Sequence, residues 1–121
     1  MEPRLRPGQF VMVTLQAEPQ GVEVFAAVRE AEGLTVVVEQ GTADLLGWEY
    51  DVVLAWITLH VHSALDAVGL TAAFSTALAG SGISCNVLAG RFHDHILIPA
   101  SQADSAMDVL QSLSRSGSDR P

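Results

Sequence analysis

Alternating apolar and polar positions predict strands along the first half of the chain. Residues 10–16 alternate with a period of two, and residues 34–39 form a β-branched run that favours a strand. A further strand is predicted over residues 22–29, and a short helical turn over residues 42–47. Two prolines and a glycine indicate that residues 1–8 are a loose lead-in.

The second half has the stronger pattern. One face of its first strand is purely apolar and the other is mostly apolar, so both faces are expected to be covered. The helix that follows carries a buried stripe at the spacing of one helix face. The predicted order is strand, helix, strand, strand, helix, at residues 52–61, 65–79, 83–89, 92–98 and 102–113. This is the ferredoxin-like βαββαβ pattern without its last strand.

Composition narrows the classes of function. The 121 residues suffice for one domain or two small ones. Fourteen acidic and six basic side chains give a net charge of −8, which argues against nucleic-acid and anionic-membrane binding. All six basic residues are arginine, so a catalytic lysine is excluded. A single cysteine and an N-terminus without a signal-peptide pattern predict a cytoplasmic protein.

Three segments resemble a known family, the ACT domains. Residues 65–74 resemble the strand-to-helix signature, in which an acidic residue and a glycine precede a helix of small residues. Residues 78–86 are similar to the helix end that leads into the second strand. Residues 95–99 are similar to the third strand of the ACT repeats in aspartate kinases. The whole chain resembles small stand-alone proteins of two ACT-like units.

The resemblance implies an α+β fold of tandem ferredoxin-like units, each with an antiparallel sheet covered by helices. Residues 1–51 are expected to form a reduced, mostly β unit, residues 52–113 a complete ACT domain, and residues 114–121 a flexible tail. Two departures stand out: Val68 occupies a position where many ACT domains have proline, and the first unit lacks the Asp-x-x-Gly turn.

The resemblance also implies a function. ACT domains are regulatory modules without intrinsic catalysis that bind amino acids at subunit or repeat interfaces. The chain is therefore expected to bind an amino-acid effector without a cofactor, to form a homodimer and to act on an unidentified regulated protein. An interaction subunit without a small-molecule ligand is the alternative.

The segment before and within the first turns of the long helix is the expected ligand site. Unpaired N–H groups at a helix N-terminus suit a carboxylate, Asp66 suits an ammonium group, and Gly69 permits close approach. In the alternative interpretation, Asp66 only caps the helix and Gly69 only turns the chain. The predicted ligand-binding residues are Ser63, Asp66, Ala67, Val68, Gly69, Leu70 and Asn86.

Four histidines raise a third possibility, a metal protein or a small enzyme. His60 and His62 lie two apart on one predicted strand, and His93 and His95 on its neighbour, so His93 is expected near the first pair. The unknown strand register and the absence of a nucleophile–base pair weigh against this reading. No catalytic residue and no metal ligand are assigned. The acidic and aromatic residues 48–51 are either a solvated turn or the rim of a site for a cationic ligand.

Overall fold

The computed structural model describes residues 2–60 and 64–118, which form α+β structure as predicted. Contacts between Cα atoms divide the chain into a small unit, Gly8–Leu54, and a large unit, Met1–Pro7 with Ala55–Pro121. The elements are β1 (Pro3–Leu5), β2 (Phe10–Leu15), β3 (Ala26–Glu30), β4 (Gly33–Glu39), α1 (Gln40–Leu46), β5 (Leu54–His60), α2 (Ala64–Gly80), β6 (Asn86–Ala89), β7 (His93–Pro99) and α3 (Ala103–Ser118), with a 3-10 turn at Ala100–Gln102.

The large unit is a complete ferredoxin-like unit with the strand order β1-β5-β7-β6. Its helices α2 and α3 pack on one side of the sheet through a single apolar core. Because side chains alternate along a strand, alternate residues of β5 and β7 supply the sheet side of that core. The buried members are Ala55, Ile57, Leu59, Phe74, Leu78, Ile83, Ile96, Ile98, Ala106 and Leu110.

Both faces of β5 are covered, as its sequence predicts. Ile57 and Leu59 are fully buried in the core beneath the helices, and Trp56, on the other face, is 3% exposed. A strand that is buried on both faces typically has apolar side chains on both, as β5 does.

The predicted pattern of the second half has no last strand, and β1 takes the place of that strand. The prediction that residues 1–8 are a loose lead-in is therefore wrong. Pro3–Leu5 pair antiparallel with β5, and the backbone N–H of Arg6 donates to the Trp56 carbonyl at 2.8 Å. In this register Arg4 and Arg6 exchange ladder hydrogen bonds with β5, whereas Pro3 occupies a position whose N–H would point away. A proline is therefore tolerated there.

Replacing Arg4 by proline is expected to lower the free energy of unfolding by about 2 kcal/mol, because it removes a ladder donor and leaves the Thr58 carbonyl unpaired. Arg4→Ala is the matched control, since it keeps the N–H. The lost ion pair with Glu2 is long, 3.8 Å, and exposed, and contributes little. Urea unfolding of both variants checks this, and equal losses would contradict the assigned register.

The small unit has three antiparallel strands in the order β3-β4-β2 and the helix α1. Residues 16–25 connect β2 to β3 without a described helix, where a complete unit has one. The core lies between the sheet and α1, and its buried members are Val11, Val13, Leu34, Val36, Val38 and Ala43.

The observed boundaries differ from the predicted ones at both ends of the chain. Residues 1–7 group with the C-terminal half instead of with residues 8–51. Helix α3 continues to Ser118, so residues 114–118 are helical where a flexible tail was expected, and residues 119–121 lie outside the described structure. The Arg115 guanidinium donates to Ser112 Oγ at 3.3 Å, and its charge suits the C-terminal end of a helix.

Candidate functional site

The predicted ligand-binding segment is helical over most of its length. Helix α2 begins at Ala64, so Asp66 and Ala67 are its third and fourth residues. Ser63, a predicted ligand-binding residue, lies outside the described residues. The predicted helix over residues 65–79 is confirmed, and the observed helix is one residue longer at each end.

Gly69 lies inside α2 and is not a turn glycine. It has no positive φ angle, and a Cβ placed on it would meet nothing within 4 Å. Val68 beside it is 77% exposed, whereas Leu70 packs against the core. This part of α2 is an exposed surface of small residues. Close packing against a neighbouring element therefore does not account for the glycine at position 69.

Asn86 lies on the other side of the sheet from the helices. It is the exposed first residue of β6 and pairs with Leu97 in β7, and directly paired residues share a face. The neighbours of Leu97, Ile96 and Ile98, face the helices. The structure thus does not bring Asn86 together with α2 on one face of the sheet.

The face of the sheet away from the helices also gathers three histidines, because β5 and β7 are hydrogen-bonded neighbours. The rings of His60 and His93 lie edge to face with centroids 4.5 Å apart, which confirms the predicted approach of these strands. His95 lies 6.1 Å from His93 and 5.3 Å from the Trp56 ring, centroid to centroid.

His95 is held as a neutral imidazole by hydrogen bonds that the sequence analysis missed. The Trp56 indole Nε1–H donates to His95 Nδ1 at 3.3 Å and to Thr58 Oγ1 at 3.2 Å. Thr58 Oγ1 lies 3.1 Å from the same Nδ1. Because the indole is only a donor, Nδ1 serves as an acceptor and carries no proton. The spacing of Trp56 and Thr58 along β5 is visible in the sequence. Their pairing with His95 depends on the register between β5 and β7, which the sequence does not give.

Burial, together with the neighbouring charges of His93 and Arg6, lowers the pKa of His95 below its ordinary value, and Asp94 opposes this in part. The Arg6 guanidinium also lies 4.9 Å from the centroid of the Trp56 ring. Protonation of His95 would place a second N–H donor against the indole N–H. The site therefore favours the neutral imidazole of His95 over the imidazolium.

Acidification is expected to destabilise the fold through His95. Its folded pKa is lowered, so as the pH falls below about 6.5 the unfolded chain takes up the proton first, and the free energy of unfolding decreases. Urea unfolding between pH 7.5 and 5.5 measures the slope, which His95→Gln should make shallower. His60→Gln is the control for a second histidine of the same face, and an unchanged slope in H95Q would contradict the assignment.

Neither metal nor acid–base chemistry gains support from this face. Within residues 2–60 and 64–118, no group of three or more His, Cys, Asp or Glu side chains could hold a metal ion, and His62 lies outside them. Asp94 is 7% exposed and alternates with His93 and His95, so its carboxylate lies on the opposite side of the strand.

The small unit contains a cleft of about 430 Å³ beside residues 48–51. One wall is β2, from Met12 to Leu15, and the other is the segment from Gly47 to Asp51. The run that was interpreted as a solvated turn or a cationic rim thus borders a cavity. The sequence pattern gave no indication that β2 forms the other wall of this cleft.

Helix α1 fixes the second wall of the cleft. Gly47, with φ +68°, ends the helix in the left-handed conformation, and the N–H of Trp48 donates to the Ala43 carbonyl at 2.9 Å. The Tyr50 hydroxyl accepts from Gln40 Nε2 at 3.1 Å and donates to Asp44 Oδ1 at 2.7 Å. The backbone of Trp48 and the side chain of Tyr50 are therefore anchored to α1.

Family models match the chain twice. A model described as an ACT domain matches residues 1–55, and a second ACT-domain model matches residues 52–112. The chain belongs to the ACT-domain family. It carries two ACT domains in tandem, and the first model includes β1, which packs in the large unit.

Several solved structures are similar to this chain in fold. A protein of unknown function from Vibrio cholerae, described as a possible transport protein, is 42% identical, with a TM-score of 0.84 over 92% of this chain and 88% of its own. An Agrobacterium tumefaciens protein is 18% identical, with a TM-score of 0.76 over 92% and 87% of the two chains. The ligand-free regulatory subunit of Thermus thermophilus aspartate kinase is 12% identical, with a TM-score of 0.65 over 93% and 97%.

No curated protein matches this ACT-domain chain. Among the helices of the described residues, none has the length and apolar character that crossing a membrane requires.

Proposed function

We propose that this chain is a non-catalytic regulatory module that binds an amino acid or a similar small metabolite at an interface between ACT units. The observation that carries the proposal is the pair of ACT-domain matches across residues 1–112. The regulatory subunit of an aspartate kinase shares the fold, which is consistent with such a role.

The proposed contact surface is the N-terminal part of α2. Its first backbone N–H groups have no partner within the helix and suit a ligand carboxylate, and Asp66 supplies a counter-charge for an ammonium group. The residues assigned to the site are Ser63, Asp66, Ala67, Val68, Gly69 and Leu70. The exposed surface at Val68 and Gly69 supports close approach of a ligand or a second unit.

Asn86 is proposed to contribute from a second copy of the chain in a cytoplasmic homodimer. Its position on the sheet face away from α2 is consistent with contact across a dimer and not with contact to α2 of its own unit. A ligand that bridges two copies shifts their arrangement, and this shift is the signal to a regulated protein.

A thermal-shift panel of the twenty amino acids, with and without a chelator, tests the proposal. A ligand at about 100 times its dissociation constant adds about 2.7 kcal/mol, which raises the Tm by about 10 °C. Asp66→Ala is expected to abolish the shift. Asp104→Ala, an exposed acidic residue in the first turn of α3, is the matched control and should retain it. No shift with any amino acid would favour an interaction subunit without a metabolite.

Gly69→Ala separates a ligand-binding role from a structural one. Alanine in an exposed helix interior is expected to raise the free energy of unfolding by about 0.5–1 kcal/mol, because glycine is the poorer helix former and nothing obstructs the new Cβ. If ligand approaches Gly69, the same variant should show a smaller ligand-induced shift. A more stable protein with an unchanged shift would remove Gly69 from the site.

A further inference from the structure

The cleft in the small unit is bordered by the open edge of a strand. Four consecutive residues, Met12 to Leu15, line it. Because successive side chains of a strand point to opposite faces, consecutive residues reach one cleft only along the strand edge. The lining thus includes the main chain of β2.

The register identifies the backbone groups on that edge. The N–H of Gln40 donates to the Gln9 carbonyl at 2.9 Å, which fixes the phase of the β2–β4 ladder. By alternation Val11, Val13 and Leu15 bond to β4. Phe10, Met12 and Thr14 then direct their N–H and C=O groups to the second edge.

Pairing on the second edge stops after one residue. Phe10 pairs there with Leu54, and the described strands give β2 no other partner on that side. The chain before Leu54 diverges and forms the opposite wall of the cleft. Met12 and Thr14, about 7 Å apart, are left as a template for a further strand.

Charge indicates what kind of strand fits. The small unit contains eight acidic residues and one arginine, so it holds −7 of the net −8 charge. That arginine, Arg29, already pairs with Glu18 at 3.3 Å. Glu49 and Asp51 are exposed on the wall of the cleft and alternate with Trp48 and Tyr50 along it.

We propose that the edge of β2 and the wall formed by residues 47–51 bind an extended, basic peptide segment of a partner protein by strand addition. The peptide backbone pairs with Met12 and Thr14. Its alternate lysine or arginine side chains meet Glu49 and Asp51 and pack on Trp48. The strand edge and the cleft carry this assignment, and the carboxylates determine only the charge of the partner.

Binding of capped five-residue peptides to the full chain tests the proposal. The probe alternates lysine with valine, and the control peptide replaces each lysine by glutamate. The lysine peptide should bind saturably, slow amide exchange at Met12 and Thr14, and change the fluorescence of Trp48. Weak binding that falls with added salt is expected for exposed charges.

Three variants separate the backbone contribution from the charge contribution. Thr14→Pro removes the edge N–H without touching the β4 ladder and should abolish binding, whereas Thr14→Val keeps the N–H and should bind normally. The double variant E49Q/D51N should bind about tenfold more weakly. Urea unfolding shows whether Thr14→Pro is folded. If it is not, protection of the Met12 and Thr14 amides in the wild-type protein decides the question.

Several results would overturn the proposal. These are no binding at millimolar lysine peptide, equal binding of the glutamate peptide, or binding without protection of the two edge amides. Free lysine and arginine are run in parallel. If they bind in the cleft as tightly as the peptide, the occupant is a small molecule and strand addition is wrong. Asp66→Ala should leave peptide binding unchanged, so this test is independent of the proposed metabolite site.

Discussion

Replacing Phe74 by alanine is expected to lower the free energy of unfolding of the large unit by about 3–5 kcal/mol. Phe74 is fully buried on α2, at the centre of the core between the helices and the sheet. Its removal loses the transfer free energy of the ring and leaves a cavity that the surrounding side chains fill only in part. Since small domains are stable by about 5–15 kcal/mol, the loss is a large fraction of the total.

Phe92→Ala is the matched control for this prediction. Phe92 precedes β7 and is 72% exposed, so its removal should cost less than about 0.5 kcal/mol. Each unit contains one tryptophan, Trp48 in the small unit and Trp56 in the large unit. Urea unfolding followed by Trp56 fluorescence in a Trp48→Phe background therefore reports on the large unit. Equal losses in the two variants would mean that Phe74 does not support the core.

Local periodicity was sufficient to predict the order of strands and helices from β5 to α3. The apolar stripe through Phe74 and Leu78 and the two-sided strand at Ile57 identify the elements and the core face. These signals are strong because each element buries one continuous surface against its neighbours. The same signals do not reveal β1, since a strand of three residues that begins with a proline has no pattern of its own. Their strand is specified by pairing with residues more than fifty positions away.

The candidate site was predictable only in part for a related reason. The approach of His60 to His93 follows from strand order alone. The hydrogen bond from Trp56 to His95 depends on register, which a sequence pattern leaves open. The alternative in which Gly69 only turns the chain fails, because a long α2 tolerates one glycine at a cost of about 1 kcal/mol. The cleft depends on where β2 stops pairing, and no local pattern encodes that position.

Replacing Gly33 by alanine is expected to destabilise the small unit by about 3 kcal/mol. Gly33 begins β4 with φ +147°, a conformation that side-chain-bearing residues rarely adopt. A Cβ there would lie 2.8 Å from the Leu15 carbonyl oxygen and 3.1 Å from Thr14 Cγ2. The Leu15 carbonyl cannot retreat, because it lies opposite Leu34 in the β2–β4 ladder. The backbone strain and the steric clash therefore add.

Gly21→Ala separates the two contributions to this loss. Gly21 also has a positive φ, +68°, but a Cβ there meets nothing within 4 Å, so only the conformational cost of about 1 kcal/mol is expected. Urea unfolding followed by Trp48 fluorescence in a Trp56→Phe background measures both variants. A similar loss in the two would show that φ alone determines the cost. A larger loss for Gly33 would show that close packing of the β3–β4 hairpin against the end of β2 requires glycine.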